Sequence, residues 1–154
     1  KQNLLYSDKA VPKTTPTPKP TATPAPTPIP DEKAFYITGG RLYEVYGYLR
    51  FQITAKNLSG YTIDAFDMKL RAYNNYGEKL GYYGNWLETE KGYTENDTSV
   101  KPGKSYKSGN YYWDLFGFDT ATKIEVAVGR YHTKDGNTVS IDDSDMVWVS
   151  IEKS

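Results

Sequence analysis

The sequence has no cysteine, which excludes a disulfide framework and a thiolate metal site, so the fold depends on its apolar core alone. Histidine occurs once, at His132, and no nucleophile-elbow sequence is present, so nucleophilic catalysis has no visible starting point. No apolar run approaches the roughly 18 residues that would cross a bilayer. An excess of one charge is also missing, since 19 basic residues balance 19 acidic ones. Residues 31–154 hold 15 basic against 18 acidic side chains, a net of −3. A mildly acidic domain is poorly suited to gripping phosphate backbones, so nucleic acid is not an expected partner.

Proline is scarce after residue 30: eight of the nine lie between Pro12 and Pro30, whereas all thirteen glycines and all three tryptophans follow Asp31. That shift divides the chain into an apolar arm at 1–11, a Pro/Thr-rich linker at 12–30 and a domain at 31–154. Proline removes backbone donors and holds neighbouring residues extended, so the linker is expected to be a polyproline II spacer of about 60 Å. It resembles the linkers of secreted and wall-associated proteins of Gram-positive bacteria, which implies an extracellular or cell-surface setting. A first residue of Lys rather than Met fits prior removal of a signal peptide or anchor. In the arm, Leu4, Leu5, Tyr6 and Val11 are apolar ahead of a long spacer. They are read either as a remnant of neighbouring sequence or as a subunit contact, a strand added to another copy.

The domain reads as strands. Leu49, Phe51, Ile53 and Ala55 alternate with Arg50, Gln52, Thr54 and Lys56, the pattern of a half-buried strand. Asn57 to Gly60 supplies a turn, and Phe66, Met68, Leu70 and Ala72 then alternate with Asp67, Lys69, Arg71 and Tyr73. Ile63 and Ala65 are out of phase with that set, which predicts a bulge or bend near Asp64. Asn74 to Gly77 is a second turn, Gly81 to Gly84 a loop or short edge strand, and Lys101 to Lys104 a third turn before a strand at Tyr106 to Leu115. Ile124, Val126 and Val128 mark another strand, Asp135-Gly136 turns into Thr138 to Ile141, and Val147, Val149 and Ile151 mark the last. About seven strands with no amphipathic helix predict an all-β, antiparallel, immunoglobulin-like sandwich. Leu49, Phe51, Ile53, Phe66, Met68, Leu70, Val126 and Val128 are its expected core.

The order Phe51-x-Ile53-x-Ala55-x-Asn57-x-Ser59-Gly60, then Ile63, Met68-x-Leu70-x-Ala72-Tyr73-Asn74-x-x-Gly77, Lys101-Pro102-Gly103, Ile124-x-Val126-x-Val128 and Asp135-Gly136, resembles the immunoglobulin-like FxLYD-type domains of Gram-positive surface proteins. The resemblance covers residues 48–141. It implies a sandwich at the cell surface and no catalytic residue.

Aromatic residues are the anomaly, since 22 of the residues after Asp31 are Tyr, Trp or Phe. They cluster at Tyr43, Tyr46 and Tyr48, at Tyr82, Tyr83 and Trp86, and from Tyr111, Tyr112 and Trp113 to Phe116 and Phe118. Neighbouring strand residues face opposite sides, so some rings must be exposed. Tyr82, Tyr83, Trp86, Tyr111, Tyr112 and Trp113 are therefore the candidate binding residues, suited to protein surfaces or to the apolar faces of sugars. Tyrosine is also an ordinary strand residue with a wet hydroxyl end. Asp142, Asp143 and Asp145, with Glu95, Asn96 and Asp97, are the only oxygen-rich turns, and they lack the spacing of a calcium loop. No metal or cofactor is expected, and His132 beside a hairpin reads as an exposed strand-end residue. The sequence thus predicts a non-catalytic extracellular structural or interaction module. Its expected partners are other copies or other surface proteins, and the alternative is a carbohydrate-binding module for cell-wall or plant polysaccharide.

Overall fold

The computed structural model describes residues 27–154, so the arm with Leu4, Leu5, Tyr6 and Val11, and the linker up to residue 26, lie outside the described residues. One helical turn, α1 (Asp31–Ala34), precedes nine strands. These are β1 (Phe35–Val45), β2 (Tyr48–Asn57), β3 (Ile63–Tyr73), β4 (Lys91–Glu95), β5 (Ser105–Lys107), β6 (Trp113–Asp114), β7 (Lys123–Thr133), β8 (Thr138–Ser140) and β9 (Val149–Glu152). They build an antiparallel β-sandwich. In the first sheet, β2 lies between β1 on one side and β5 and β6 on the other; in the second, the order is β4-β3-β7, with β8 and β9 both on the far side of β7.

Nine strands replace the expected seven for local reasons. Strand β1 escapes the alternation rule because Gly39 and Gly40 interrupt it, and the pairing with β2 shifts register between Ile37 and Gly39. The short β4 shows no apolar alternation, since Gly92 and Thr94 flank Tyr93. The expected strand from Tyr106 to Leu115 is broken in two. The Ser108 hydroxyl bonds both the amide and the carbonyl of Ile53, at 2.8 and 2.9 Å, and Gly109 (φ 61°) turns the chain outward there. Gly81 to Gly84 forms a tight turn rather than an edge strand. The bend near Asp64 is present, as a register shift between Ile63 and Ala65.

The two sheets close over Leu49, Phe51, Ile53, Phe66, Met68, Leu70, Val126 and Val128, all buried as their alternation predicts. Tyrosines tie the layers at one side of the core. Tyr93 on β4 meets Phe51 edge-on at 5.0 Å and donates its hydroxyl to the Asp114 carbonyl at 3.3 Å. Tyr106 on β5 meets Phe66 at 5.2 Å and donates to Glu95 at 2.7 Å. Burial first, and then Glu95, push the Tyr106 hydroxyl well above the ordinary phenol range; burial does the same at Tyr93. Part of the tyrosine richness is therefore structural, with ring in core and hydroxyl satisfied.

The register gives the sandwich two distinct poles. Val45 pairs with Tyr48, Tyr73 with Lys123, and Leu42 bridges to Lys153, so the β1–β2 turn and the loops 74–90 and 115–122 share one pole. Phe35 pairs with Asn57 and Ile63 with Thr133, so α1, where the described chain comes in from the linker, lies at the opposite pole.

Candidate functional site

Eleven large apolar side chains are exposed among the described residues, and seven of them lie at the pole remote from the linker: Tyr46, Tyr48, Tyr76, Tyr83, Trp86, Leu87 and Phe116. Local backbone chemistry explains their presentation. The β1–β2 connection is a two-residue turn with Tyr46 at φ 52° and Gly47 at φ 82°, the signature of a type I′ hairpin. Asn or Gly suits the first of those positions; here a tyrosine occupies it and is 95% exposed. Tyr83 is likewise left-handed, at φ 48°. Two bulky residues thus hold a conformation disfavoured for them, with no burial to offset the cost.

The loop from Gly81 to Glu88 is held by its own backbone. Gly84 N–H donates to the Gly81 carbonyl, Asn85 to Tyr82, Glu88 to Asn85 and Tyr82 to Glu88, at 2.8 to 3.0 Å. These consecutive turns leave Trp86 and Leu87 at the tip, 82% and 93% exposed. The loop is fastened to its neighbour where Tyr83 N–H donates to the Gly117 carbonyl at 2.9 Å. Tyr82 is half-buried beneath it. Its ring lies 4.6 Å from that of Tyr83 and 5.6 Å from that of Phe118, and the Lys91 ammonium sits 4.1 Å from its centroid. Phe116 completes the pole by meeting Tyr48 edge-on at 6.2 Å.

The six candidate binding residues do not form one platform. Tyr82, Tyr83 and Trp86 belong to the loop just described. Tyr111 is exposed on the side of the first sheet, and Tyr112 is half-buried with the Arg50 guanidinium 3.9 Å from its ring centroid. Trp113 is a correction to the expected exposed ring. It is 6% exposed and stacks on Phe51 at 5.3 Å, because the broken strand turns this residue into the sandwich when β6 pairs Phe51 with Trp113. Leu87 was not singled out by the sequence, although an isolated leucine between Asn85 and Glu88, outside any alternation, was a signal of it.

The acidic turns remain apart. Asp143 accepts a hydrogen bond from Lys69 at 2.5 Å, Glu95 is engaged by Tyr106, and Asp145 N–H closes a turn on the Asp142 carbonyl. Among the described residues, no group of three or more His, Asp or Glu is placed to hold a metal ion. His132 is half-buried within β7, its Nδ1 3.0 Å from the Thr138 hydroxyl. Among the described residues, no helix is long and apolar enough to cross a membrane. No family model matches the chain and no curated protein matches it, so the likeness to FxLYD-type domains rests on the residues named above.

Proposed function

We propose that this chain is a non-catalytic interaction module of an extracellular or cell-surface protein, and that it engages protein surfaces, other copies of itself included, through its aromatic pole. The observation that carries the reading is the concentration of Tyr46, Tyr83, Trp86, Leu87 and Phe116 at the end of the sandwich away from the linker. A stalk joined at one pole displays the other. Rings and an aliphatic tip together suit a protein interface, where large apolar anchors dominate the energy. Leu87 beside Trp86 argues against a surface specialised for sugars alone, since leucine offers neither a stacking face nor a hydrogen bond. Held away from a cell surface by its Pro/Thr stalk, the module would act by contact rather than by chemistry.

A second reading, carbohydrate binding at the same pole, is supported by a shallow cavity of about 380 Å³ lined by Tyr83, Gly117 and Asp119. Light scattering and electron microscopy on the full chain and on its W86A/L87A variant separate the two. Association that the variant loses supports the protein reading. A native chain that stays monomeric yet is retained by a neutral polysaccharide, with retention lost in Tyr83→Ala, replaces it with the second. The fragment 31–154 adds the arm to the same comparison, since assembly that needs residues 1–30 assigns the contact to Leu4, Leu5, Tyr6 and Val11.

A further inference from the structure

The outer faces of the two sheets treat charge differently. On the second sheet three outward cations are neutralised in place, Lys69 by Asp143, Arg71 by Glu90 and Arg130 by Asp67, and a fourth, Lys123, lies over the Tyr73 ring. On the first sheet the outward positions of β1, β2, β5 and β6 carry Arg41, Arg50, Lys56 and Lys107 against Asp114 alone, and Asp114 is taken by Arg50 at 3.0 Å. Lys56 is turned to the Gly103 carbonyl at 2.7 Å. Among the described residues neither Arg41 nor Lys107 has a carboxylate within 4.0 Å. A domain with a net charge of −3 therefore exposes one basic face.

Between those two cations lies a groove of about 460 Å³ that crosses the strands. It exists because Gly39, opposite Thr54 in the register, contributes no side chain to the outer face, while Arg41 and Gln52 rise on one side and Lys107 on the other. A β-carbon built on Gly39 meets nothing within 4 Å, so the fold does not require glycine there. Gly40 next to it is different, because its β-carbon would lie 2.1 Å from the Gln52 carbonyl oxygen. The opening at Gly39 is free space above the sheet, not a packing necessity.

The geometry points to an acidic polysaccharide, one bearing carboxylates on its sugars, as the occupant of this groove. Charge complementarity selects an anion. The Arg41 guanidinium, 5.2 Å from the Tyr43 ring centroid, presents a planar fork to a carboxylate, and Lys107 supplies a second positive charge across the groove. The groove also holds polar groups for hydroxyls. Gln52 donates its amide to the Gly109 and Tyr111 carbonyls, at 2.5 and 3.1 Å, which leaves its side-chain oxygen as an acceptor on the same outer face of β2 as Thr54. A peptide is a poorer fit. Strand addition needs a sheet edge with unpaired backbone groups, whereas this groove runs over the face of strands already paired.

The inference is independent of the aromatic pole and its test keeps the two apart. The full chain is run in native gels containing polygalacturonate, neutral dextran or polyglutamate, at low and high salt. Retardation by polygalacturonate alone, relieved by salt, is expected. Arg41→Gln with Lys107→Gln should weaken it at least tenfold, Gly39→Phe should abolish it, and W86A/L87A should leave it unchanged, all with native thermal midpoints. Absence of retardation by polygalacturonate overturns the proposal, as does equal retardation by polyglutamate, which would reduce the site to a general polyanion patch. So does a double Arg41/Lys107 variant that is folded and still binds as the native chain does.

Discussion

A single aromatic ring can serve the core or the surface, and its neighbours decide which. Trp113 lies within an aromatic run that also contains exposed Tyr111, yet its indole stacks on Phe51 while its Nε1 finds no partner among the described residues. Trp113→Ala should therefore cost about 3 to 5 kcal/mol, as loss of a large buried ring does. Trp113→Phe keeps a ring against Phe51 and removes the unpartnered donor, so its cost should stay below roughly 1.5 kcal/mol. Urea unfolding of both variants checks the pair; equal losses would show that the indole N–H is satisfied after all. Tyr46 makes the converse case. At φ 52° in a type I′ turn and almost fully exposed, it should be improved upon by Tyr46→Asn, with a gain of about 0.5 to 1 kcal/mol by thermal melting and weaker association in the same sample. A variant that is no more stable, or that associates as well as the native chain, removes the argument that strain is retained there for contact.

At the scale of elements, the linker pole depends on one buried side chain. Asn57 ends β2 and is fully buried; its amide donates to the Tyr61 and Val100 carbonyls at 2.8 and 2.7 Å, and its oxygen accepts from the Ser59 amide and hydroxyl at 2.9 and 2.6 Å. The residue thereby fastens the β2–β3 turn to the β4–β5 loop. Asn57→Ala removes four hydrogen bonds, each worth about 0.5 to 1.5 kcal/mol net, although the Val100 carbonyl keeps the Ile63 amide and the Tyr61 carbonyl keeps the Ser59 hydroxyl. A loss of at least roughly 2 kcal/mol in chemical denaturation is expected. Hydrogen exchange should show the loosening first in residues 58–62 and 99–104, while the aromatic pole keeps its protection. The sequence shows Asn57 only as a turn residue, because its partners lie up to 43 positions away.

For the whole molecule, four buried or half-buried tyrosines set its behaviour in alkali. Burial, aided at Tyr73 by the hydrogen bond to Glu125, raises the hydroxyls of Tyr73 and Tyr131 to about 12, and Tyr93 and Tyr106 are raised as well. Unfolded tyrosine ionises near pH ~10. Above that pH the unfolded chain has lost protons that the native one retains, so stability is complete below pH ~10 and falls as pH rises toward the native values. The tyrosinate absorbance of these four should appear together with unfolding, above the pH at which an unfolded tyrosine ionises. A single stage near pH ~10 with the fold intact would contradict the burial assigned to them.

The sequence by itself determined the all-β class, the strands β2 and β3 with their inward faces, the turn at Asp135-Gly136 and the bend near Asp64, because each follows from short-range alternation and turn chemistry. It also marked Trp86 and Tyr83 as rings in excess of what a core requires. Only the tertiary structure decided that Trp113 turns inward, that β1 passes two glycines to reach Leu42, and that Arg41 and Lys107 line one groove beside Gly39. Those outcomes depend on which strands become neighbours. Pairing across tens of residues is fixed by the packing of the two sheets as a whole, and no local pattern in the chain encodes it.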